Sequence, residues 1–212
     1  MATFSGTYIP DSGLVFALDA SNQKYLANTQ ISSTSNISYS SSSGGGSIVF
    51  NGTSSSITIP NPLNQPNLTQ EWTVSAWINI TDKVSQTLLG GLNSSLHVCY
   101  VQGNNSLLYL NGGSNNYYTY GGDLGNIGWT LATFRFKNSD GSRTIYRNTA
   151  NISTGGPNAT STPSGQSTEF TIGSGGSGFM EGNLAQMLIY NRYITDTELT
   201  TIFDNTRKRY GI

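Results

Sequence analysis

Residues 182–198 read Gly-Asn-Leu-Ala-Gln-Met-Leu-Ile-Tyr-Asn-Arg-Tyr-Ile-Thr-Asp-Thr-Glu, and this stretch decides the fold. Between Leu184 and Tyr190 its apolar side chains occupy consecutive positions as well as alternate ones. Such a run is typical of a strand that is buried on both faces. We therefore expect a central strand of a β-sheet here.

A short helix is predicted immediately after this strand, because Thr195 and Glu198 have the spacing of a capping box. Its apolar stripe follows from residues at i, i+3 and i+4: Leu199, Ile202 and Phe203. The basic residues 207–209 are expected in its last turn, where cations complement the helix dipole. Gly211 is expected to end it.

The remainder of the chain is typical of an all-β protein, because short apolar or alternating runs recur between clusters of Gly, Ser, Thr and Asn. The clearest alternation spans residues 71–80, where Trp72 and every second residue occupy one face and Trp77 the other. Further strands are predicted over residues 13–20, 37–39, 47–52, 56–60, 86–92, 96–102, 106–110, 128–136, 144–148 and 170–173. We expect one domain, residues 13–212, preceded by a short N-terminal arm, residues 1–12.

The closing stretch resembles the end of the concanavalin A-like lectin/glucanase superfamily, in its laminin-G-like and pentraxin-like jelly-roll branch. Members close with Gly-x-Ile-x-x-Val-x-Ile-Tyr-Asn-Arg-x-Leu-Ser/Thr-x-x-Glu. The chain matches this pattern at Gly182, Leu184, Met187, Ile189, Tyr190, Asn191, Arg192, Ile194, Thr195 and Glu198. Residues 13–20, Gly-Leu-Val-Phe-Ala-Leu-Asp-Ala, also resemble the start of such domains. Where members often have an acidic residue, this chain has Ala185.

The resemblance covers nearly the whole chain and implies an all-β fold. The expected architecture is a two-sheet antiparallel β-sandwich, a concanavalin A-like jelly roll, with one short C-terminal helix. The resemblance also implies that Asp19 bonds to the polypeptide backbone near a sheet edge rather than to a metal ion. We expect the inner faces of the sheets to be filled by Trp72, Val74, Leu131, Phe134 and Ile189.

Composition excludes several classes of partner. Only 10% of the 212 residues are charged and the net charge is -1, so nucleic acid and anionic lipid find no broad positive field. The sequence has no apolar run of about 18 residues and no secretion-signal pattern, so we expect neither a membrane span nor a cleaved signal.

Cys99 is the only cysteine, which excludes an intramolecular disulfide, and its apolar neighbours predict an inert buried thiol.

The sequence does not predict an enzyme. Glycanases of this fold carry two or three carboxylates alternating along one strand, because the acid and its partner must flank one glycosidic bond. The glutamates of this chain lack that arrangement: Glu71, Glu169, Glu181 and Glu198. Asp196 lies two residues from Glu198, but both belong to the predicted helix start. His97 is the only histidine and lies in an apolar run, where a hydrogen-bonded structural role is favoured over acid–base chemistry.

One segment is chemically suited to a neutral glycan. Tyrosine rings stack on the apolar faces of sugars, while Asn amides and Asp carboxylates bond the hydroxyl groups. The candidate ligand-binding residues are Asn115, Asn116, Tyr117, Tyr118, Tyr120 and Asp123. The alternative is that Tyr118 and neighbouring rings pack in a strand or at a subunit contact.

No cofactor is predicted, and calcium, which is common in the family, is the alternative. Asp82, Asp123 and Asp140 are candidate ligands because they lie in predicted loops. No Asp-x-Asp or EF-hand spacing accompanies them. The sequence therefore favours a domain without a metal ion.

Compact domains with this opening and a Tyr-Asn-Arg close resemble a type frequent among structural proteins of tailed and marine bacteriophages. The resemblance implies a non-enzymatic virion surface protein, either a capsid decoration or cement protein or an appendage, assembled in the host cytoplasm. Its expected partners are the major capsid or other virion proteins, further copies of itself and host-surface glycans. A free carbohydrate-binding lectin and a glycan-cleaving enzyme are the two alternatives.

Overall fold

A computed structural model describes residues 3–4, 7–21, 30–63, 70–81, 85–91, 97–102, 107–111, 117–120, 128–137, 139, 143–154, 168–176 and 178–212. These residues fold into two antiparallel β-sheets packed face to face, which confirms the predicted fold class. The α-helix α1 (Asp196–Thr206) packs on the outer face of one sheet, which we call the helix-side sheet. The other is the opposite sheet. No helix in the described residues is long and apolar enough to cross a membrane.

The strands of the helix-side sheet are, in spatial order, β15 (Ala150–Asn151), β14 (Arg143–Arg147), β13 (Thr130–Phe136), β8 (Trp72–Ile80), β18 (Glu181–Tyr190), β6 (Ser47–Asn51) and β5 (Ser38–Ser40), with β3 (Leu14–Asp19) also paired to β18. Those of the opposite sheet are β16 (Ser153–Thr154), β12 (Tyr117–Tyr120), β11 (Leu107–Asn111), β10 (His97–Gln102), β9 (Gln86–Gly91), β17 (Glu169–Ile172), β7 (Ser56–Pro60) and β4 (Ser33–Ser35). A separate hairpin joins β1 (Thr3–Phe4) to β2 (Thr7–Tyr8). Within the described residues, 3-10 turns cover Ser43–Gly45 and Arg207–Tyr210.

β18 is the central strand that the sequence predicts. One of its edges pairs with β8, and the other is divided between β6 and β3, with an irregularity in the β8 pairing between Leu184 and Gln186. Met187 and Ile189 enter the core between the sheets, whereas Leu188 and Tyr190 are buried on the outer face. The consecutive apolar residues of β18 therefore reflect burial on both faces.

Gly182 opens the family motif because the backbone there leaves no room for a side chain. Its φ is +141°, a conformation that L side chains rarely adopt, and a Cβ would overlap the carbonyl oxygen of Asn79 on β8. A glycine at this position lets β8 and β18 begin their pairing.

The space between the sheets is the main hydrophobic core. Trp72 and Val74 of β8, Phe134 of β13 and Ile189 of β18 are buried in it, as predicted. The prediction for Leu131 is wrong, because Leu131 lies on the other face of β13, in the cluster beneath α1. Side chains alternate along a strand, so residues three apart, such as Leu131 and Phe134, face opposite ways.

A second apolar cluster fixes α1 to the outer face of the helix-side sheet. Trp77 is fully buried at its centre, and its ring stacks on that of Tyr210 with the centroids 4.1 Å apart. The Trp77 Nε1 donates a hydrogen bond of 2.8 Å to Thr206 Oγ1. Leu199 and Ile202 of α1 fill the remaining space. This cluster covers the outer face of β8 around Trp77.

The start of α1 is as predicted, but its end is not. Thr195 Oγ1 accepts from the Glu198 amide at 3.2 Å, and the Thr195 amide donates to Glu198 Oε2 at 2.9 Å, which completes the capping box. The prediction that residues 207–209 form the last turn of the α-helix is wrong, because they continue the chain as a 3-10 turn. Gly211 then ends this turn with a left-handed φ of 74°.

Part of the segment predicted as an N-terminal arm packs on the sandwich. Ile9 is fully buried in the cluster beneath α1. The hydroxyl of Tyr190 donates to the Pro10 carbonyl at 3.0 Å, and Asn205 Nδ2 of α1 donates to the Tyr8 carbonyl at 2.7 Å. Residues 8–10 therefore form one unit with β18 and α1.

Candidate functional site

β12 contains three of the residues that the sequence predicts as a glycan site: Tyr117, Tyr118 and Tyr120. It lies toward one edge of the opposite sheet, between β11 and β16. The other predicted ligand-binding residues lie outside the described part of the chain: Asn115, Asn116 and Asp123.

The strand register connects β12 through β11 to β10. Cys99 is fully buried in the core and pairs with Leu110, which in turn pairs with Tyr118.

The structure brings together no metal site in the part of the chain that it describes. Within those residues no three His, Cys, Asp or Glu side chains converge. The calcium candidates Asp82, Asp123 and Asp140 all fall outside the described residues.

Arg192 and Glu198 of the family motif form an ion pair at the start of α1. Arg192 Nη1 and Nη2 donate to the two carboxylate oxygens of Glu198 at 2.8 and 2.5 Å. Arg192 Nε also donates to the Ser12 carbonyl at 2.7 Å. The hydrogen bonds from Arg192 are the largest cause that lowers the pKa of Glu198 to about 2. The pair joins the chain before β3, the end of β18 and the helix cap.

A second arginine lies beneath the first turn of α1. Arg135 of β13 has 1% of its side chain exposed, and its guanidinium lies 4.2 and 4.3 Å from the ring centroids of Tyr146 and Tyr193. It donates to the Ile194 carbonyl at 2.8 Å, to Asp196 Oδ1 at 2.7 Å and to the Tyr146 hydroxyl. The hydrogen bond from Arg135 to Asp196 holds the pKa of that carboxyl group below its usual value. The group therefore connects β13 and β14 to the helix start.

A third arginine joins the 3-10 turn at the chain's end to β3. Arg209 Nη1 donates to Asp19 Oδ1 at 2.7 Å, and Arg209 Nε and Nη2 donate to the carbonyls of Gly44 and Gly46 at 2.7 and 3.1 Å. Asp19 also accepts from the Ser21 amide at 2.9 Å. Asp19 thus bonds to the backbone near its strand end, as the resemblance implies.

The other residues considered for catalysis lie apart. Glu169 on β17 pairs with Pro60 in the opposite sheet, whereas Glu181 on β18 pairs with Asn51 in the helix-side sheet. Cys99 is fully buried, which raises the pKa of its thiol and favours the unreactive protonated form. Two carboxylates on different sheets do not match the alternating pair that glycanases of this fold carry on one strand.

Sequence reasoning did not find the role of Arg135. In the sequence it alternates with Phe134 and Phe136, a pattern that predicts a polar side chain facing solvent. The helix predicted from Thr195 could have indicated that Arg135 is buried. A helix that packs on the outer face of a sheet also covers the polar residues of that face. Arg135 then needs an acceptor, which Asp196 supplies.

Sequence comparison agrees with this fold. A laminin-G-type family model, described as the concanavalin A-like lectin/glucanases superfamily, matches residues 51–200. This region runs from the end of β6 into α1 and contains both central strands, β8 and β18. A search of curated protein sequences finds no match.

Solved structures with the same fold include binding domains and parts of enzymes. Domain 4 of AbnA, an extracellular arabinanase from Geobacillus stearothermophilus, in complex with arabinotriose, is 21% identical over 80% of this chain and 82% of that chain, with a TM-score of 0.60. The binding domain of Paraclostridial Mosquitocidal Protein 1 is 14% identical over 90% of this chain, with a TM-score of 0.68. Trypanosoma rangeli sialidase in complex with sialic acid is 15% identical over 98% of this chain, with a TM-score of 0.66.

The chain spans 52% of the mosquitocidal binding domain and 35% of the sialidase chain. At these sequence identities the solved structures support only the fold, and the assignment to a family depends on the family-model match. That match covers well over half of the sequence, and the strands and helix of the motif are placed as its pattern requires. The chain therefore belongs to the concanavalin A-like lectin/glucanase superfamily.

Proposed function

We propose that this chain is a non-catalytic glycan-binding domain. The proposal depends on the observation that three carboxylates form structural ion pairs with arginines. Asp19, Asp196 and Glu198 each bind an arginine and so fix the helix or the C-terminal turn to the sheet. A glycosidase needs one carboxyl group with a raised pKa to donate a proton. The pKa shifts of Asp196 and Glu198 are downward, so both remain ionised at neutral pH.

Composition and the structural neighbours support binding to a sugar. The chain is nearly neutral and rich in tyrosine, with 12 tyrosines and 10% charged residues, which suits recognition by stacking and hydroxyl hydrogen bonds. The arabinanase domain that shares this fold is in complex with arabinotriose and matches the chain over most of both lengths. A neutral oligosaccharide is therefore the ligand class that we propose.

We further propose that this domain acts on a virion surface, as a capsid decoration or appendage protein that assembles as a homo-oligomer. The support is the resemblance to bacteriophage structural proteins at the opening and closing motifs. In the structure these two motifs are one unit, because β3 pairs with β18 and the Asn191 amide donates to the Gly13 carbonyl at 2.9 Å. Native mass measurement of the purified protein and of virions would test it, since a fixed copy number on particles is expected. A monomer that does not sediment with particles would contradict it.

The glycan-binding proposal is tested by a glycan array followed by titration calorimetry, with arabinotriose, xylotriose and cellotriose as neutral probes and 3′-sialyllactose as an anionic one. Binding to a neutral probe without release of reducing ends is the expected result. Absence of binding to every probe would reject the proposal.

The glycan-cleaving alternative makes a different prediction in the same samples. Release of reducing ends that is abolished by Glu169→Gln or Glu181→Gln would replace the binding proposal with catalysis. We expect no release from any probe, with the wild-type chain or with either variant.

A further inference from the structure

The buried Arg135 holds two side chains at the start of α1 that solvent can reach. Tyr193 lies between β18 and α1, and Asp196 is the first residue of α1. The Arg135 guanidinium lies 4.3 Å from the ring centroid of Tyr193 and donates to Asp196 Oδ1 at 2.7 Å. Only 1% of the Arg135 side chain is exposed. A ligand at this place therefore contacts the tyrosine and the aspartate, and not the arginine.

Asp196 offers a fixed hydrogen-bond acceptor. Its side chain is 77% exposed, and a side chain this exposed ordinarily samples several rotamers. Here Oδ1 accepts from Arg135 Nη1 and also from the Tyr146 hydroxyl at 3.1 Å, which fixes the carboxylate group. Within the described residues, both hydrogen bonds to this side chain reach Oδ1. The second oxygen, Oδ2, is therefore left to accept from a ligand.

Tyr193 offers a fixed aromatic ring beside this acceptor. Its hydroxyl is hydrogen-bonded to Thr144 Oγ1 at 3.0 Å, and Thr144 Oγ1 accepts from Arg135 Nε at 3.1 Å. The Tyr193 side chain is partly exposed, and the part that contacts the buried guanidinium is covered. The exposed part of the ring is therefore directed away from Arg135. A ring that is already held in place loses little conformational freedom when a ligand binds.

A tyrosine ring beside a free carboxylate oxygen suits one class of ligand. The ring stacks on the apolar face of a sugar, and the carboxylate accepts from sugar hydroxyl groups in charge-assisted hydrogen bonds. The exposed charge is negative, whereas the positive charge of Arg135 is buried beneath it. An anionic sugar is therefore disfavoured at this surface, and a neutral sugar is favoured.

We propose that Tyr193 and Asp196 form a contact site for a neutral oligosaccharide, in which one sugar ring stacks on Tyr193 and a hydroxyl group donates to Asp196 Oδ2. The inference rests on the glycan-binding function proposed above and specifies where the ligand binds. It assigns the site to different residues from those predicted from the sequence, which lie within residues 115–123.

The aromatic contact is tested by titration calorimetry with arabinotriose. Tyr193→Ala is expected to weaken binding about tenfold, because it removes the ring on which the sugar stacks. Tyr8→Ala is the matched control. Tyr8 is a tyrosine with 53% of its surface exposed, and its carbonyl accepts from Asn205 in the second half of α1. This control is expected to bind as the wild type does.

The acceptor is tested separately with Asp196→Asn. The amide oxygen can keep the contacts to Arg135 and Tyr146, while the amide nitrogen, a donor, replaces the free oxygen Oδ2. Binding of arabinotriose is expected to weaken about fivefold. Asp204→Asn is the matched control, because Asp204 is an aspartate of the same helix with 58% of its side chain exposed. It is expected to leave the affinity unchanged.

Thermal unfolding of each variant checks that the fold is retained, and 3′-sialyllactose is expected to bind more weakly than arabinotriose. If the wild type binds arabinotriose and both site variants bind it equally well, the inference is wrong and the glycan-binding function stands. Tighter binding of 3′-sialyllactose than of any neutral probe would also overturn the inference. If the wild type binds none of the probes, the proposed function fails and the inference fails with it.

Discussion

Three arginines that belong to ion pairs join the C-terminal segment to the sandwich, in addition to the apolar cluster beneath α1. Arg135, Arg192 and Arg209 each donate both to a carboxylate and to backbone carbonyls. A planar guanidinium with five donors suits this role, because lysine offers only a point charge. Only 10% of the residues are charged, and these three arginines form their ion pairs within the molecule.

Replacing Arg135 tests how much a buried donor contributes. Arg135→Gln removes the donor to the Ile194 carbonyl and to the Tyr146 hydroxyl, which keeps only its own hydrogen bond to Asp196, and the free energy of unfolding is expected to fall by about 3 kcal/mol. Asp196→Asn keeps an acceptor oxygen for Arg135 and removes only the charge of a side chain that is 77% exposed, so it should change the free energy of unfolding by less than about 1 kcal/mol. Urea unfolding at pH 7 measures both values. Equal losses in the two variants would show that the ion pair, not the buried donor, dominates.

Gly182 makes a second prediction at the level of one residue. Gly182→Ala forces a Cβ against the Asn79 carbonyl of β8, so the free energy of unfolding should fall by about 3 kcal/mol or more. Gly128→Ala is the control, since Gly128 also has a positive φ, +81°, but has no atom within 4 Å of the added Cβ. Its expected cost is about 1–2 kcal/mol. Denaturant midpoints that are the same for both variants would contradict the overlap at Gly182.

At the level of elements, the capped helix makes stability depend on acid pH. A glutamate in an unfolded chain has a pKa of about 4.3, whereas the pKa of Glu198 in the folded chain is lowered to about 2. The folded state binds this proton less readily, so the stabilisation is present above about pH 4.3 and is lost as the pH falls toward 2. Glu198→Gln should flatten this part of the stability profile and should reduce stability at pH 7 by about 1 kcal/mol.

Urea unfolding between about pH 2 and 7 measures that profile. Arg192→Gln is the partner variant, because the hydrogen bonds from Arg192 are the largest cause of the lowered pKa. It should flatten the same region of the curve. A profile with the wild-type slope in both variants would show that another group is responsible.

Strands and helices that are specified by residues close together in sequence could be predicted, but the pairing between strands could not. β18 and the start of α1 follow from an apolar run and from the Thr195–Glu198 spacing, both of which act within a few residues. Tyr118 pairs with Leu110 of β11, which pairs in turn with Cys99 of β10. No pattern inside β12 fixes that register, so the neighbours of this strand in the sheet could not be predicted from the sequence.

Over the whole molecule, Cys99 is a natural reporter of opening of the sandwich. It is fully buried between the sheets and its pKa is raised by burial, so a thiol reagent at pH 8 should not label the folded protein. In denaturing urea we expect complete labelling of the single thiol. Mass spectrometry after timed exposure measures the modified fraction. Rapid labelling without denaturant would mean that the edge of the opposite sheet opens without global unfolding.

The divided pairing of β18 has a consequence for synthesis of the chain on the ribosome. Its neighbours β3, β6 and β8 all precede it in sequence, and none of them pairs directly with another in the finished helix-side sheet. Until residues 181–190 emerge, each of these strands has an unpaired edge that could associate with another nascent chain. Completion of the helix-side sheet therefore waits for the synthesis of β18, and until then these edges are open to pairing with another chain.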